Sequence, residues 1–169
     1  MRILAIDPSL NSTGICYAPD AACSVEPPKG FLGVHRLIWL REYTLGLLSS
    51  LKPAMVALEG YSYGSKAHSA ISLGEWGGML RVLLYEQGIP VALVPPKSLK
   101  QWLAGTGNAS KTVMICQATK RSGLDLTTDD EADAWALYAM ACEQYGQPIV
   151  KMPDRAAARK GVEWPEVVL

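Results

Sequence analysis

Four carboxylates stand where a fold could bring them together: Asp7, Glu59, Asp130 and Asp133. Asp7 closes the apolar run Arg2-Ile3-Leu4-Ala5-Ile6, and Glu59 closes Ala54-Met55-Val56-Ala57-Leu58. Each run reads as a short buried strand, and in open α/β sheets sites form beyond the carboxyl ends of strands. If the two strands are neighbours and parallel, both acids emerge at one rim. Either acid alone is better explained as the polar exit of a strand. The segment 127–133, Thr-Thr-Asp-Asp-Glu-Ala-Asp, is partly a helix start: Thr128 and Glu131 have capping-box spacing, and acids in a first turn complement the helix dipole. Asp133 is different. It shares a stripe with Leu137, Met140 and Ala141, headed one turn earlier by Asp130. A carboxylate on a core-facing stripe is costly to bury unpaired, and a cation would satisfy it. Asp129, four residues before Asp133, is the rival for the place given to Asp130.

Four carboxylates without a His or Cys ligand set are hard oxygen donors, suited to Mg2+, with Mn2+ as substitute, rather than to zinc. Two such ions about 4 Å apart would activate a water and neutralise a phosphoryl transition state. The charge distribution fits a polyanionic substrate. The 169 residues carry 16 basic and 16 acidic side chains, a net charge of zero. Yet residues 66–121 hold seven bases (Lys66, Arg81, Lys97, Lys100, Lys111, Lys120, Arg121) against Glu75 and Glu86. Residues 122–149 hold six acids and no base. Setting aside four acids committed to metal leaves 16 bases against 12 acids, a balance of +4. A basic block of this kind suits a phosphate backbone.

The elements that must position these residues follow from periodicity and breakers. A hairpin is expected from strands at 2–7 and 13–18, with Ser9, Asn11 and Thr13 shaping the turn. Leu37, Leu40, Thr44, Leu47, Leu48 and Leu51 recur at helical spacing until Pro53. A strand at 54–59, a helix at 66–87, a strand at 90–94, and helices beginning near Pro96 and Ser110 follow, before a last strong helix at 128–145. Gly74, Gly77 and Gly78 suggest close packing of the 66–87 helix. The order, with a third early strand left unplaced, belongs to an α/β domain with a mixed sheet. Residues 1–147 form the expected domain and 148–169 a peripheral tail. Cys16, Cys23, Cys116 and Cys142 lack metal-ligand spacing and read as buried reduced thiols of a cytoplasmic protein. His35 and His68 are isolated. No apolar run approaches the roughly 18–20 residues of a membrane span, so no membrane partner is expected.

Several segments together resemble the RuvC group of Holliday junction resolvases, in the ribonuclease H-like superfamily. They are Ala5-Ile6-Asp7-Pro8-Ser9 with Thr13-Gly14, Leu58-Glu59-Gly60, Leu99-Lys100-Gln101, residues 105–111 (Gly-Thr-Gly-Asn-Ala-Ser-Lys), and Asp130-Glu131-Ala132-Asp133-Ala134. The similarity covers about residues 1–145 and includes the eleven-residue step from Lys100 to Lys111. It implies a ribonuclease H-like mixed β-sheet flanked by helices on both faces. It also implies a Mg2+-dependent endonuclease with two ions per site that cuts four-way junctions by paired incision, with other branched DNA as further candidate substrates. Asp7, Glu59, Asp130 and Asp133 would match the metal-binding acids, and this spacing prefers Asp130 over Asp129. Lys100 and Lys111 would match basic residues at the scissile phosphate. DNA contacts would come from Tyr61, Ser62, Tyr63, Lys66, Lys97, Lys100 and Lys111, with Tyr61 or Tyr63 as the junction wedge. Partners would be a second copy of the chain and a branch-migration helicase, in the cytoplasm of a bacterium or of a phage host. The competing readings are a nucleotide-binding protein of the actin-like group, which opens with a similar hairpin, and a catalytically silent branched-DNA-binding module.

Overall fold

The computed structural model describes residues 1–60 and 67–167, with the side chains of 67–73 left aside. Its frame is a five-stranded sheet in the order β3-β2-β1-β4-β5. Strands β1 (Ile3–Asp7), β4 (Met55–Glu59) and β5 (Val91–Val94) run parallel; β2 (Thr13–Cys16) returns antiparallel to β1, and β3 (Ala22–Val25) turns back antiparallel to β2 at the edge. The β1–β4 register pairs Ile3 with Met55 and Ile6 with Leu58, so the next step sets Asp7 beside Glu59 at the carboxyl rim. Strand β2 ends at Cys16, two residues short of expectation. The unplaced strand is β3, a half-buried edge.

Alternation along the strands divides the core in two, because successive strand residues face opposite sides. Leu4, Ile6, Ile15, Val56 and Leu58 pack with Leu40 and Leu48 of α1 (Gly33–Leu51) and with Trp76, Leu80, Leu83 and Leu84 of α2 (Ala67–Glu86). Ile3, Ala5, Met55, Ala57, Ala92 and Val94 face the other way. There they meet α3 (Pro96–Ala104), α4 (Lys111–Ser122) and, most intimately, α5 (Asp129–Gln144). Helices therefore cover both faces, as expected of this architecture. Helix α1 ends where Lys52 takes a left-handed φ of 44° just before Pro53, which cannot extend the helix.

Helix α5 lies low on the sheet because both surfaces are trimmed to small side chains. It presents Ala132, Ala134, Ala136, Ala139 and Ala141, and Ala5, Ala57 and Ala92 lie in the sheet of the same core. The closest approach is at Gly14 of β2. A Cβ there would fall 2.1 Å from the backbone oxygen of Asp130 and 3.2 Å from Cβ of Ala134. Only glycine admits that contact. Two of the three glycines of α2 show no such role, for a Cβ at Gly74 or Gly78 would meet nothing within 4 Å among the described residues. Gly77 is buried.

The segment from Pro148, read in the sequence as peripheral, returns across α3 and α5. Ala158 of α6 (Ala156–Lys160) and Val162 are buried in the same core as α5. Trp164 sets its edge on Tyr145 at 6.1 Å, Tyr145 Oη donates to the Pro165 carbonyl, and Arg159 pairs with Glu143 at 3.2 Å. All four cysteines are free, but Cys116 is exposed rather than buried, and Cys23 is half-buried. Among the described residues no helix is long and apolar enough to cross a membrane.

Candidate metal centre and nucleic-acid interface

The odd-numbered positions of β1 and β4 face α5, and continuing each strand by one such step places an acid on that side. Ile3 and Ala5 lead to Asp7; Met55 and Ala57 lead to Glu59. Helix α5 begins above this rim. Thr128 Oγ1 accepts from the Glu131 amide at 3.2 Å, and the Glu131 carboxylate accepts from the Thr128 amide at 3.2 Å, completing the expected capping box. That cap consumes Glu131 and fixes the helix phase, so that Asp133, one turn inside, points down at the strand ends.

One carboxylate oxygen from each of Asp7, Glu59 and Asp133 lies within 4.8 Å of the others. Asp7 is buried, and Glu59 and Asp133 are half-buried. Oδ1 of Asp133 is shut off from solvent without a hydrogen-bond partner among the described residues. The crowding shows in the proton affinities. Burial, then the charge and hydrogen bond of Glu59, raise the Asp7 carboxyl well above its usual range. Burial raises Glu59 to about 7; the hydrogen bond with Asp7 and the charge of Lys100 oppose the rise, and Asp133 and Asp130 add to it. Burial, then Asp7 and Asp129, raise Asp133 to about 8, with Lys100 again opposing. Like charges crowded at this range cannot all ionise cheaply, which is why these proton affinities rise together.

Asp130 stands beside this triad rather than in it. Its half-buried carboxylate accepts a hydrogen bond from Ser12, and its charge reaches Asp7, Glu59 and Asp133. Asp129, the rival, is engaged elsewhere: it forms an ion pair with Lys111 at the start of α4. Ser110 caps α4, accepting from the Val113 amide at 3.4 Å, which brings Lys111 to the rim of α5. Lys100 projects from α3, near enough for Glu59 and Asp133 to feel its charge, whereas Lys97 is exposed one turn earlier. Tyr61, Ser62, Tyr63 and Lys66 lie outside the described residues, so no wedge is assigned. A pocket of about 280 Å3 opens beside Glu59, between Gly60, Arg81 and the end of β5.

Comparison with known proteins fits this geometry. The sequence model of the family described as crossover junction endodeoxyribonuclease RuvC matches residues 3–141. The chain belongs to the RuvC family. Within that family, the crossover junction endodeoxyribonuclease RuvC of Chloroflexus aurantiacus is 32% identical over 164 residues, covering 89% of this chain and 97% of the relative. That of Thermotoga petrophila is 33% identical over 149 residues, covering 81% and 89%. Among solved structures, the T. thermophilus RuvC in complex with a Holliday junction substrate superposes with a TM-score of 0.70 at 24% identity, over 90% of this chain and 99% of that one. The last likeness bears on the fold, a mixed sheet of the ribonuclease H-like kind.

Three features of the RuvC-type site were not read from the sequence: the Ser12 contact to Asp130, the Asp129–Lys111 pair, and the backbone approach at Gly14. The Thr13-Gly14 motif marked the last position without its reason.

Proposed function

We propose that this chain is a crossover junction endodeoxyribonuclease that resolves four-way DNA junctions by divalent-metal-dependent phosphodiester hydrolysis. The observation that carries the reading is the Asp7–Glu59–Asp133 cluster, with its oxygens within 4.8 Å and a buried, partnerless Asp133 Oδ1. The donors fit a hard cation: all are carboxylate oxygens, the set Mg2+ and Mn2+ prefer. Asp7, Glu59 and Asp133 would hold the ion, and Asp130 completes the four-acid set that we assign to two Mg2+ ions. When bound, such ions lower the proton affinity of water and stabilise charge on the phosphoryl oxygens.

The chain's own residues supply the rest. The strand ends and the capped α5 fix the acids before substrate arrives, so little reorganisation is needed during reaction. Lys100 counters the acid cluster on one flank, and its charge would lie toward the scissile phosphate. Lys111, with a flexible stem tethered to Asp129, would give a second positive charge to that phosphate. Lys97 would extend the contact along the DNA with Lys66 as its partner from the sequence, and Tyr61 or Tyr63, after the Glu59 strand, would enter the branch point. Ser62 would contact the adjoining backbone. Residues 1–147 hold this machinery, and the segment from 148 braces α3 and α5. Paired incision of a two-fold substrate calls for a homodimer. A cytoplasmic location and delivery by a branch-migration helicase complete the reading.

A cleavage panel tests it: four-way, three-way, flap and linear duplex DNA in Mg2+, Mn2+ and EDTA. We expect symmetric nicks in the four-way junction with either metal, none in EDTA, and little cutting of linear duplex. Failure to cut any branched substrate with either metal overturns the reading, and ATP hydrolysis without DNA would support the actin-like rival. Light scattering should return twice the 18.3 kDa chain mass; a strict monomer would contradict paired incision.

A further inference from the structure

Away from the acid rim, the loop between α3 and α4 and the short helix α6 enclose a cleft of about 590 Å3. Its walls are Lys97, Ser98 and Gln101 of α3, Thr106 and Asn108 of the loop, and Ala157 of α6. Among the described residues, no carboxylate and no aromatic ring lines it. An ammonium, two hydroxyls and two amides are the groups that grip phosphate oxygens without reading bases. The lack of an aromatic platform argues against a stacked base.

The cleft is built rather than incidental. Gly107 lets Lys97 lie across the loop, since a Cβ there would come 3.1 Å from Lys97 Cγ. Behind the loop, Arg155 donates from Nη1 to the Trp102 carbonyl, and a Cβ at Gly105 would stand 3.2 Å from its Nη2. Partial burial, then the positive charge of Arg121, lower the proton affinity of Arg155. Positive charge thus collects behind the loop as well as at its lip. Along the chain the part of the lining from Gln101 to Asn108 lies between Lys100 and Lys111, the two lysines whose charges reach the acid cluster.

We propose that this cleft seats the sugar-phosphate backbone of a DNA strand leading away from the acid cluster, with α6 as its outer wall. The proposal rests on the nuclease reading of the neighbouring site and gives the segment after Pro148 a part in substrate binding. The volume exceeds what one phosphate needs and falls in the usual 300–1,000 Å3 range of ligand clefts.

Ala157, exposed on α6, allows a test by charge sign. The full chain and its Ala157→Glu and Ala157→Lys variants would be titrated with a labelled four-way junction in EDTA, by anisotropy, at several salt concentrations. We expect Ala157→Glu to weaken binding about three- to tenfold and Ala157→Lys to tighten it by a similar factor. The slope of log K against log salt should move in opposite directions, by up to about one. Equal weakening by both variants, or no change in either, overturns the proposal; the first would mark α6 as a packing element only. Parallel titrations with ATP and with inorganic phosphate separate the sources of phosphate. Charge-ordered ATP affinity with flat DNA affinity would contradict assignment to DNA. Cleavage by the unaltered chain in Mg2+ is measured alongside. Charge-ordered binding without cutting sinks the nuclease reading but not the cleft, and cutting with flat affinities does the reverse.

Discussion

Replacing Glu59 with glutamine should make the metal-free protein more stable at pH 8 while abolishing its response to Mg2+. Burial raises the Glu59 carboxyl from 4.5 to about 7, and the charges of Asp133 and Asp130 help hold it there against Asp7 and Lys100. At about 1.4 kcal/mol per tenfold, that rise corresponds to about 3 kcal/mol. The sign is fixed by proton binding. The folded state holds the proton more tightly than the unfolded chain, so the associated stability is complete below pH 4.5 and is lost as pH climbs through 7. At pH 8 the native protein bears the whole penalty. Glutamine is neutral at every pH, matches the shape, and its side-chain oxygen can still accept from the protonated Asp7, as the Glu59 carboxylate does. The rim is partly open to water, so we expect a gain of about 2–3 kcal/mol at pH 8. For a chain of this length that is a Tm rise of about 5–10 °C. At pH 5 the gain should shrink below about 1 kcal/mol, because the native carboxyl is then largely protonated. Thermal scans in EDTA at both pH values read this directly. Adding Mg2+ should raise the Tm of the native chain and leave that of Glu59→Gln nearly unmoved. A lower Tm for Glu59→Gln at pH 8, or the same gain at pH 5, would refute the reasoning.

Lys111→Ala should slow junction cleavage about 10- to 100-fold while moving Tm by no more than about 4 °C, since an exposed pair such as Lys111–Asp129 contributes about 1 kcal/mol or less. An unfolded Lys111→Ala chain on circular dichroism would mean that the lysine is structural. Gly14→Ala should cost about 3 kcal/mol or more, because its Cβ would meet the Asp130 carbonyl at 2.1 Å and neither backbone can yield freely. Chemical denaturation measures the loss, and a cost below about 1 kcal/mol would show that α5 does not rest on β2 as described.

How much of this was legible in the sequence depends on how local each determinant is. Strands β1 and β4 announced themselves as apolar runs ending in Asp7 and Glu59, and the Thr128–Glu131 cap was readable from its spacing. The parallel pairing that sets those acids side by side was only conditional, because register is decided between segments some fifty residues apart. Strand β3 escaped placement since a half-buried edge carries little periodic signal. The glycines of α2 show a related limit: composition cannot say which glycine lies against a neighbour, and a Cβ at Gly74 or Gly78 would meet nothing within 4 Å among the described residues. Asp129 and Asp130 could not be separated by helical phase alone. What distinguishes them are partners distant in sequence, Lys111 for one and Ser12 for the other. The segment after Pro148 looked peripheral because its anchors are single residues. Ala158, Val162 and Trp164 find their places only against α3 and α5.

The central claim is that the acids gathered at the rim of β1, β4 and α5 hold the cation that drives strand cleavage. Cleavage of a fixed-sequence four-way junction by the native chain and by Asp7→Asn, with junction affinity measured in parallel, tests it most directly. The account predicts Mg2+-dependent nicking by the native chain, loss of at least about 1,000-fold in Asp7→Asn, and junction binding retained within a few-fold. Cutting by Asp7→Asn at a rate near that of the native chain would contradict it.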